Sequence, residues 1–286
     1  MILIVDSGAT KSDWISLDDD GNQLFMTQTL GLSPEVLTKE IIDERLANNF
    51  ELSKHRKEVK QIFFYGAGCG TLRMRNYLKE IFQAYFINAD IVVKEDTYAA
   101  VYSTIAPGEK AVVCILGTGS NCSYYDGHEL HQKVSSLGYV LMDDCSGNYF
   151  GRQLLRDYYY HRMPHRLESK FEQEYDLEAD VIKNHLYKQP NPNTYLATFA
   201  KFVIQNKNEA YCQKLIRKGM QLFIDTSILQ FEEVRDQVPV NFVGSIAYYL
   251  QDELRAILKE NNLNAGNIIR RPIDGLVKYH QAVFQQ

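Results

Sequence analysis

The sequence predicts an α/β protein made of two domains of related topology. Three observations carry this. Strand-like and helix-like segments alternate through roughly the first 105 residues. A short apolar run, a glycine turn and a polar partner run open the chain at "ILIVDSGATKSDWISLDDDG" and recur at "EKAVVCILGTGSNCSYYDGHEL". With 286 residues, 45% of them hydrophobic, the chain is long and apolar enough to bury two cores of ordinary size. The repeat puts the boundary near Pro107-Gly108, giving domains over 1–108 and 109–274. A C-terminal helix at about 275–286 is a candidate to pack back on the first domain.

The elements follow in order. "MILIV" is short, rich in β-branched residues and bounded by a turn, so it reads as a buried strand. "SDWISLD" alternates polar and apolar and reads as its antiparallel partner. Gly21 suits a tight hairpin into a third strand. Ser33-Pro34 reads as a helix entry, with Val36, Leu37, Ile41, Ile42 and Leu46 at helical spacing after it. "KQIFFYGAGCG" is a strand with a glycine-rich end, "TLRMRNYLKEIFQAYF" a helix, "ADIVVKED" a strand and "TYAAVYSTIA" a helix. The second half repeats the hairpin and then turns helical from "GNYFGRQLLRDYYY" to "KLIRKGMQLFIDTSIL". It ends with strand, Gly-Ser turn and helix in "VPVNFVGSIAYYLQDELRAILKENN".

Composition excludes several classes. A net charge of −5 lacks the basic face that nucleic acid needs. Residues 1–5 are too few for a signal peptide, and no apolar run approaches membrane-spanning length. The five cysteines, odd in number and without a close pair, fit reduced thiols in a cytoplasm better than disulfides or a zinc ribbon. The seven histidines are scattered, and Pro164 interrupts the His161/His165 pair, so a metal cluster is not expected.

Four local features carry chemistry. In "DSGATK", Gly8 lets a phosphate approach backbone N–H groups, Thr10 and Lys11 are donors, and Asp6 suits a magnesium ion. Taken alone, a solvated hairpin explains it as well. In "LGTGSN", Gly117 and Gly119 bracket Thr118 after a second buried strand. Gly244-Ser245 opens a helix where a flat base could pack, a weak signal by itself. Asp96 ends a strand and precedes a helix. It reads as a plain N-cap, or as an ionised carboxylate able to take a proton from a hydroxyl. Neither the Walker loop nor the dinucleotide fingerprint is present.

Together these stretches resemble the actin-like ATPase superfamily of sugar kinases, heat-shock chaperones and actin. "DSGATKSD" and "ILGTGSN" look like its two phosphate motifs, "FVGSIA" like its adenosine motif, and "FYGAGC" and "RRPIDGLVKYH" like its connecting segments. "DTYAAVYS", "LGTGSNCSYYDG" and "LGYVLMDDCSGNYFG" are similar to the N-acetylglucosamine kinases and the BadF/BadG-type ATPases. The resemblance covers essentially the whole chain. It implies two ribonuclease H-like domains with a nucleotide cleft between them, ATP as co-substrate with Mg2+, and phosphorylation of an amino sugar for salvage or cell-wall recycling. It implies Asp96 as general base and Asp6, Thr10 and Lys11 on Mg-phosphate. Thr118, Gly119, Ser120 and Asn121 would border the sugar and phosphate, Asp143 would hold a sugar hydroxyl or help with the metal, and Gly244-Ser245 would hold adenosine. A homodimer is compatible with the likeness.

Two departures stand out. Where the family reads Gly-Asp-Glu-Gly-Ser this chain has "MDDCS", so Met142 and Cys145 replace glycines and hinder backbone approach, and Asp144 shortens a Glu. Glu35 stands where those kinases tend to carry a sugar-contacting asparagine, and an ionised acid cannot donate. The readings from other classes are a non-catalytic ATP or sugar sensor and a bare ATPase acting on a partner. An iron–sulfur activator would need close cysteine ligands that the sequence lacks.

Overall fold

The computed structural model describes residues 1–8 and 11–284, and the chain divides into two compact units. Unit 1 comprises residues 1–109 and 271–286, and unit 2 residues 110–270.

Unit 1 opens with β1 (Ile2–Ser7), β2 (Lys11–Leu17) and β3 (Gln23–Leu30), followed by α1 (Lys39–Ala47) and α2 (Phe50–His55). β4 (Gln61–Gly66), α3 (Leu72–Tyr85), β5 (Asp90–Glu95) and α4 (Asp96–Tyr102) come next. The sheet order is β3-β2-β1-β4-β5: antiparallel across the two hairpins, parallel from β1 to β4 to β5. Trp14 is fully buried against the rings of Phe82 and Phe86 of the α3 region, which fixes that helix to the sheet.

Unit 2 repeats the plan. It runs β6 (Ala111–Leu116), β7 (Ser120–Tyr125) and β8 (Leu130–His131), then α5 (Gly147–Tyr159), α6 (His165–Glu174), α7 (Ala179–Tyr187), α8 (Pro192–Thr198), α9 (Ala200–Gln205) and α10 (Ala210–Thr226). β9 (Val240–Val243), α11 (Ser245–Tyr249), α12 (Gln251–Glu260) and β10 (Ala265–Ile269) complete it. Its sheet, β8-β7-β6-β9-β10, matches the first strand for strand in order and direction. α13 (Pro272–Phe284) returns to unit 1, where the His280 ring faces the Tyr65 hydroxyl at 2.9 Å and the Gln281 amide donates to the Gly21 carbonyl.

Three local expectations change. The first helix begins at Lys39, not at Ser33-Pro34. The amides of Val36 and Leu37 both bond the Ser33 carbonyl, so this stretch closes as a turn; Val36 stays exposed and only Ile42 and Leu46 are buried in α1. Asp96 is the first residue of α4 and not its cap, a position that Glu95 takes with extended backbone. The helix after Gly244 is two helices, broken at Leu250 (φ −110°), whose side chain is fully buried.

Candidate functional site

In unit 1 the first hairpin sets a pair of acids face to face. Asp6 and Asp13 are register partners across β1 and β2, so their side chains leave the sheet on the same side. Asp13 is buried; the Lys11 ammonium reaches it at 2.9 Å and the Gln28 amide donates to its other oxygen at 2.6 Å. Asp6 has no such partner among the described residues. Burial first, then the neighbouring carboxylates of Asp13 and Asp96, push its pKa up to about 7, against the pull of Lys11 and Arg271. The Gly8 amide donates to the Lys11 carbonyl at 2.9 Å, so this N–H is engaged in closing the turn. Thr10 lies outside the described residues.

Asp96 stands at the end of β5 with its edge open to solvent. The amides at the helix N-terminus favour the ionised carboxylate, as expected, but do not set the balance. Desolvation, with Glu95 beside it, raises the carboxyl above its ordinary value, and the amides of Asp96 and Thr97 only partly offset this. A raised pKa makes the carboxylate a stronger base. Glu35 is exposed in the turn after β3; with Asp96 and Glu95 it acts on the buried thiol of Cys69, which burial above all pushes up to about 12.

In unit 2 the turn between β6 and β7 is gripped by the N-terminus of α5. The Gly147 amide donates to the Gly117 carbonyl at 2.7 Å and the Asn148 amide to the Thr118 carbonyl at 3.0 Å. The peptides are trans, so the N–H groups of Thr118 and Gly119 point the other way, off the helix. Two adjacent amides so turned form an anion-binding concavity.

Asp143 sits against this turn. The Ser120 amide donates to one carboxylate oxygen at 3.3 Å and the Asn148 side chain to the other at 3.0 Å. Its carbonyl accepts from the Ser146 hydroxyl at 2.6 Å, and Ser146 also caps α5 through the Tyr149 amide. A Cβ on Gly119 would come within 2.8 Å of the Asp143 carboxylate, so only glycine lets that acid approach. Ser120, Asn121, Asp143, Asp144 and Thr226 line one pocket of about 230 Å³, with Met142 and Phe223 as apolar wall.

Asp143 and Cys145 both adopt left-handed backbone, φ 66° and 59°. The loop therefore keeps at 145 a conformation that glycine would take freely, with the cysteine side chain fully buried. Gly244 (φ 122°) is pressed against the Leu116 carbonyl, where no Cβ fits, and Ser245 opens α11 exposed. Within unit 2 the turn 117–119, Ser120, Asn121 and Asp143 thus come together, with Gly244 packed beside the base of the turn. Within unit 1, Asp6 and Asp96 are neighbours.

Two residues at these sites escape sequence reasoning. Asp13 reads as the polar phase of an alternating strand; its symmetry with Asp6 about the turn was the available signal. Asn148 carries no motif at all. A larger apolar groove of about 510 Å³, walled by Tyr159, Ile182, Leu186 and Tyr187, shares none of these polar groups. Among the described residues no group of three or more acidic, histidine or cysteine ligands converges as a metal site.

No protein-family model matches the chain, and no curated protein sequence matches it. Solved structures do. The putative N-acetylglucosamine kinase of Porphyromonas gingivalis is 32% identical, with a TM-score of 0.91 over 98% of this chain and 99% of that one. The putative N-acetylglucosamine kinase of Chromobacterium violaceum is 17% identical, with a TM-score of 0.70 over 100% and 98%. A ROK family glucokinase from Streptomyces griseus, in complex with glucose and AMPPNP, is 13% identical, with a TM-score of 0.55 over 98% and 97%. The last two show a shared fold.

Proposed function

Because the chain belongs to the N-acetylglucosamine kinase family of actin-like ATPases, we propose that it phosphorylates an amino sugar, N-acetylglucosamine or a related cell-wall sugar, at the expense of ATP. The observation that carries this reading is the pairing in unit 2 of two outward amides with a fixed carboxylate on one polar pocket. An anion-binding turn beside a hydroxyl acceptor suits a reaction that brings a phosphate to an alcohol.

In this reading Asp143, Ser120, Asn121 and Glu35 hold the sugar. The amides of Thr118 and Gly119 receive phosphate oxygens, while the Gly117 amide closes the turn onto the Gly119 carbonyl at 3.0 Å and leaves Gly117 the role of letting phosphate approach. Gly8 gives the same close approach in the first hairpin, with Thr10 and Lys11 as the further phosphate contacts and Gly244-Ser245 against adenosine. Asp96 takes the proton of the attacking hydroxyl as its oxygen bonds to the γ-phosphorus. The bond from that phosphorus to the β–γ bridging oxygen breaks, and ADP carries the electron pair away.

The acid pair in unit 1 fits the Mg2+ that accompanies ATP. Asp6 and Asp13 are hard oxygen donors on one face, and Asp6 is crowded by the carboxylates of Asp13 and Asp96, a charge that a cation would offset. Magnesium takes one or two carboxylates and completes its shell with phosphate and water. Bound there, it would neutralise charge on the phosphates. All five cysteines are buried free thiols, which supports a cytoplasmic setting. No helix among the described residues is long and apolar enough to cross a membrane.

The test is ADP release from Mg-ATP across N-acetylglucosamine, N-acetylmuramic acid, glucosamine, glucose and a no-sugar blank. ADP that depends on one sugar establishes the kinase and names its substrate. ATP binding with a flat panel sinks this reading in favour of a sensor; hydrolysis indifferent to sugar sinks it in favour of a bare ATPase.

A further inference from the structure

The N-terminus of α5 holds two parts of the candidate site through one residue. Asn148 is 1% exposed. Its backbone N–H donates to the Thr118 carbonyl and its side-chain NH2 to Asp143 Oδ2. Its side-chain Oδ1, also buried, finds no donor among the described residues. A residue selected for stability alone would not leave a buried acceptor unpaired, because an apolar side chain of similar shape avoids that cost. The orientation is also the only one that serves the acid. Turned about its amide, Asn148 would set an oxygen against the carboxylate and bury the NH2 without a partner.

The other restraints on Asp143 do not replace this one. Ser146 fixes the carbonyl, through its amide and its hydroxyl, and leaves the side-chain torsions free. The Ser120 amide holds one carboxylate oxygen, at 3.3 Å, and one such bond lets the group pivot. The Asn148 bond to the second oxygen stops the pivot and ties the acid to the backbone of the anion-binding turn.

We propose that Asn148 is a positioning residue for sugar binding, one that fixes the plane of the Asp143 carboxylate relative to the 117–119 turn. This rests on the kinase reading of the site. Asn148 touches neither sugar nor phosphate in this account and acts through Asp143. Loss of a hydrogen bond to a charged group corresponds to about a ten-fold weakening or more.

The experiment measures ADP release with N-acetylglucosamine as the varied sugar at saturating Mg-ATP, for the wild type, Asn148→Ala, Asp143→Ala and the double variant. Asn148→Ala is expected to raise the sugar KM about ten-fold, with the KM for ATP within about two-fold and the unfolding midpoint little changed. In the Asp143→Ala background the Asn148→Ala change should add almost nothing to the sugar KM, since the group it positions is gone. Additive effects of the two substitutions, or an unchanged sugar KM, overturn the proposal and leave the kinase reading standing. A wild type that turns over no sugar removes the kinase reading and this inference with it. Should Asn148→Ala fail to fold, Asn148→Leu, closer in volume, carries the same expectations.

Discussion

Asp143 has a left-handed backbone and a carboxylate held at both oxygens, so its direction is set before any ligand arrives. Gly119 belongs to the same arrangement. Gly119→Ala is expected to push the carboxylate aside and raise the sugar KM several-fold with the fold intact, as circular dichroism and steady-state kinetics would show; an unchanged KM would mean that the acid yields freely. Asp96 differs: it is accessible, and its raised pKa suits proton transfer. Asp96→Asn should lower kcat by roughly 10²–10⁴-fold while sugar and ATP still bind, since removing a general base costs about that much. Full turnover in that variant would assign the base elsewhere. At this scale sequence names the residues that sit in glycine turns or at strand ends. Asp13 offered only its symmetry with Asp6 about the turn and Asn148 offered no motif, because strand register and helix packing bring them to the acids they face.

The elements that matter are the two hairpins and the helix N-terminus that grips the second. Ser146 caps α5, and α5 in turn holds the carbonyls of residues 117 and 118. Ser146→Ala should cost about 1 kcal/mol of stability, the usual cost of losing a cap. Weaker phosphate binding should accompany it, because the amides of Thr118 and Gly119 lose their fixed direction. Urea unfolding and nucleotide titration test both parts. Gly244 is a stricter position, with φ 122° and the Leu116 carbonyl against it. Gly244→Ala should destabilise by roughly 1–3 kcal/mol through backbone strain alone. A variant as stable as the wild type would show that the junction relaxes. The late start of α1 belongs here too: Ser33-Pro34 reads as a helix entry, but the chain closes a turn onto the Ser33 carbonyl and the helix begins only at Lys39.

On the scale of the whole molecule, two units repeat one sheet plan, and unit 1 is completed by a helix from the far end of the chain. That helix brings His280 into an aromatic setting of Phe63, Tyr65 and Phe284, with the Tyr65 hydroxyl at its Nε2. Burial, aided by the Lys94 charge, lowers its pKa from 6.5 to about 4. Between those values the unfolded chain binds the proton and the folded one does not. Stability therefore rises with pH across that window and is lost on acidification, by roughly 3 kcal/mol in total from this one group. Trp14, the single tryptophan, lies in the unit 1 core and reports its unfolding by fluorescence. His280→Phe should flatten the difference between urea midpoints at pH 4.5 and 7.5; an undiminished difference would assign the acid sensitivity to other groups. By itself the sequence determined the α/β class, the repeated hairpins and the family, because strand periodicity and glycine turns are local and their order along the chain is specific. Only the tertiary structure decided which acids share a face, that Asp96 loses solvation faster than helix amides can compensate, and that Asn148 reaches Asp143. Burial and hydrogen-bond direction depend on strand register and on how the α5 N-terminus packs, even between residues as near in the chain as Asp143 and Asn148, and no local pattern encodes them.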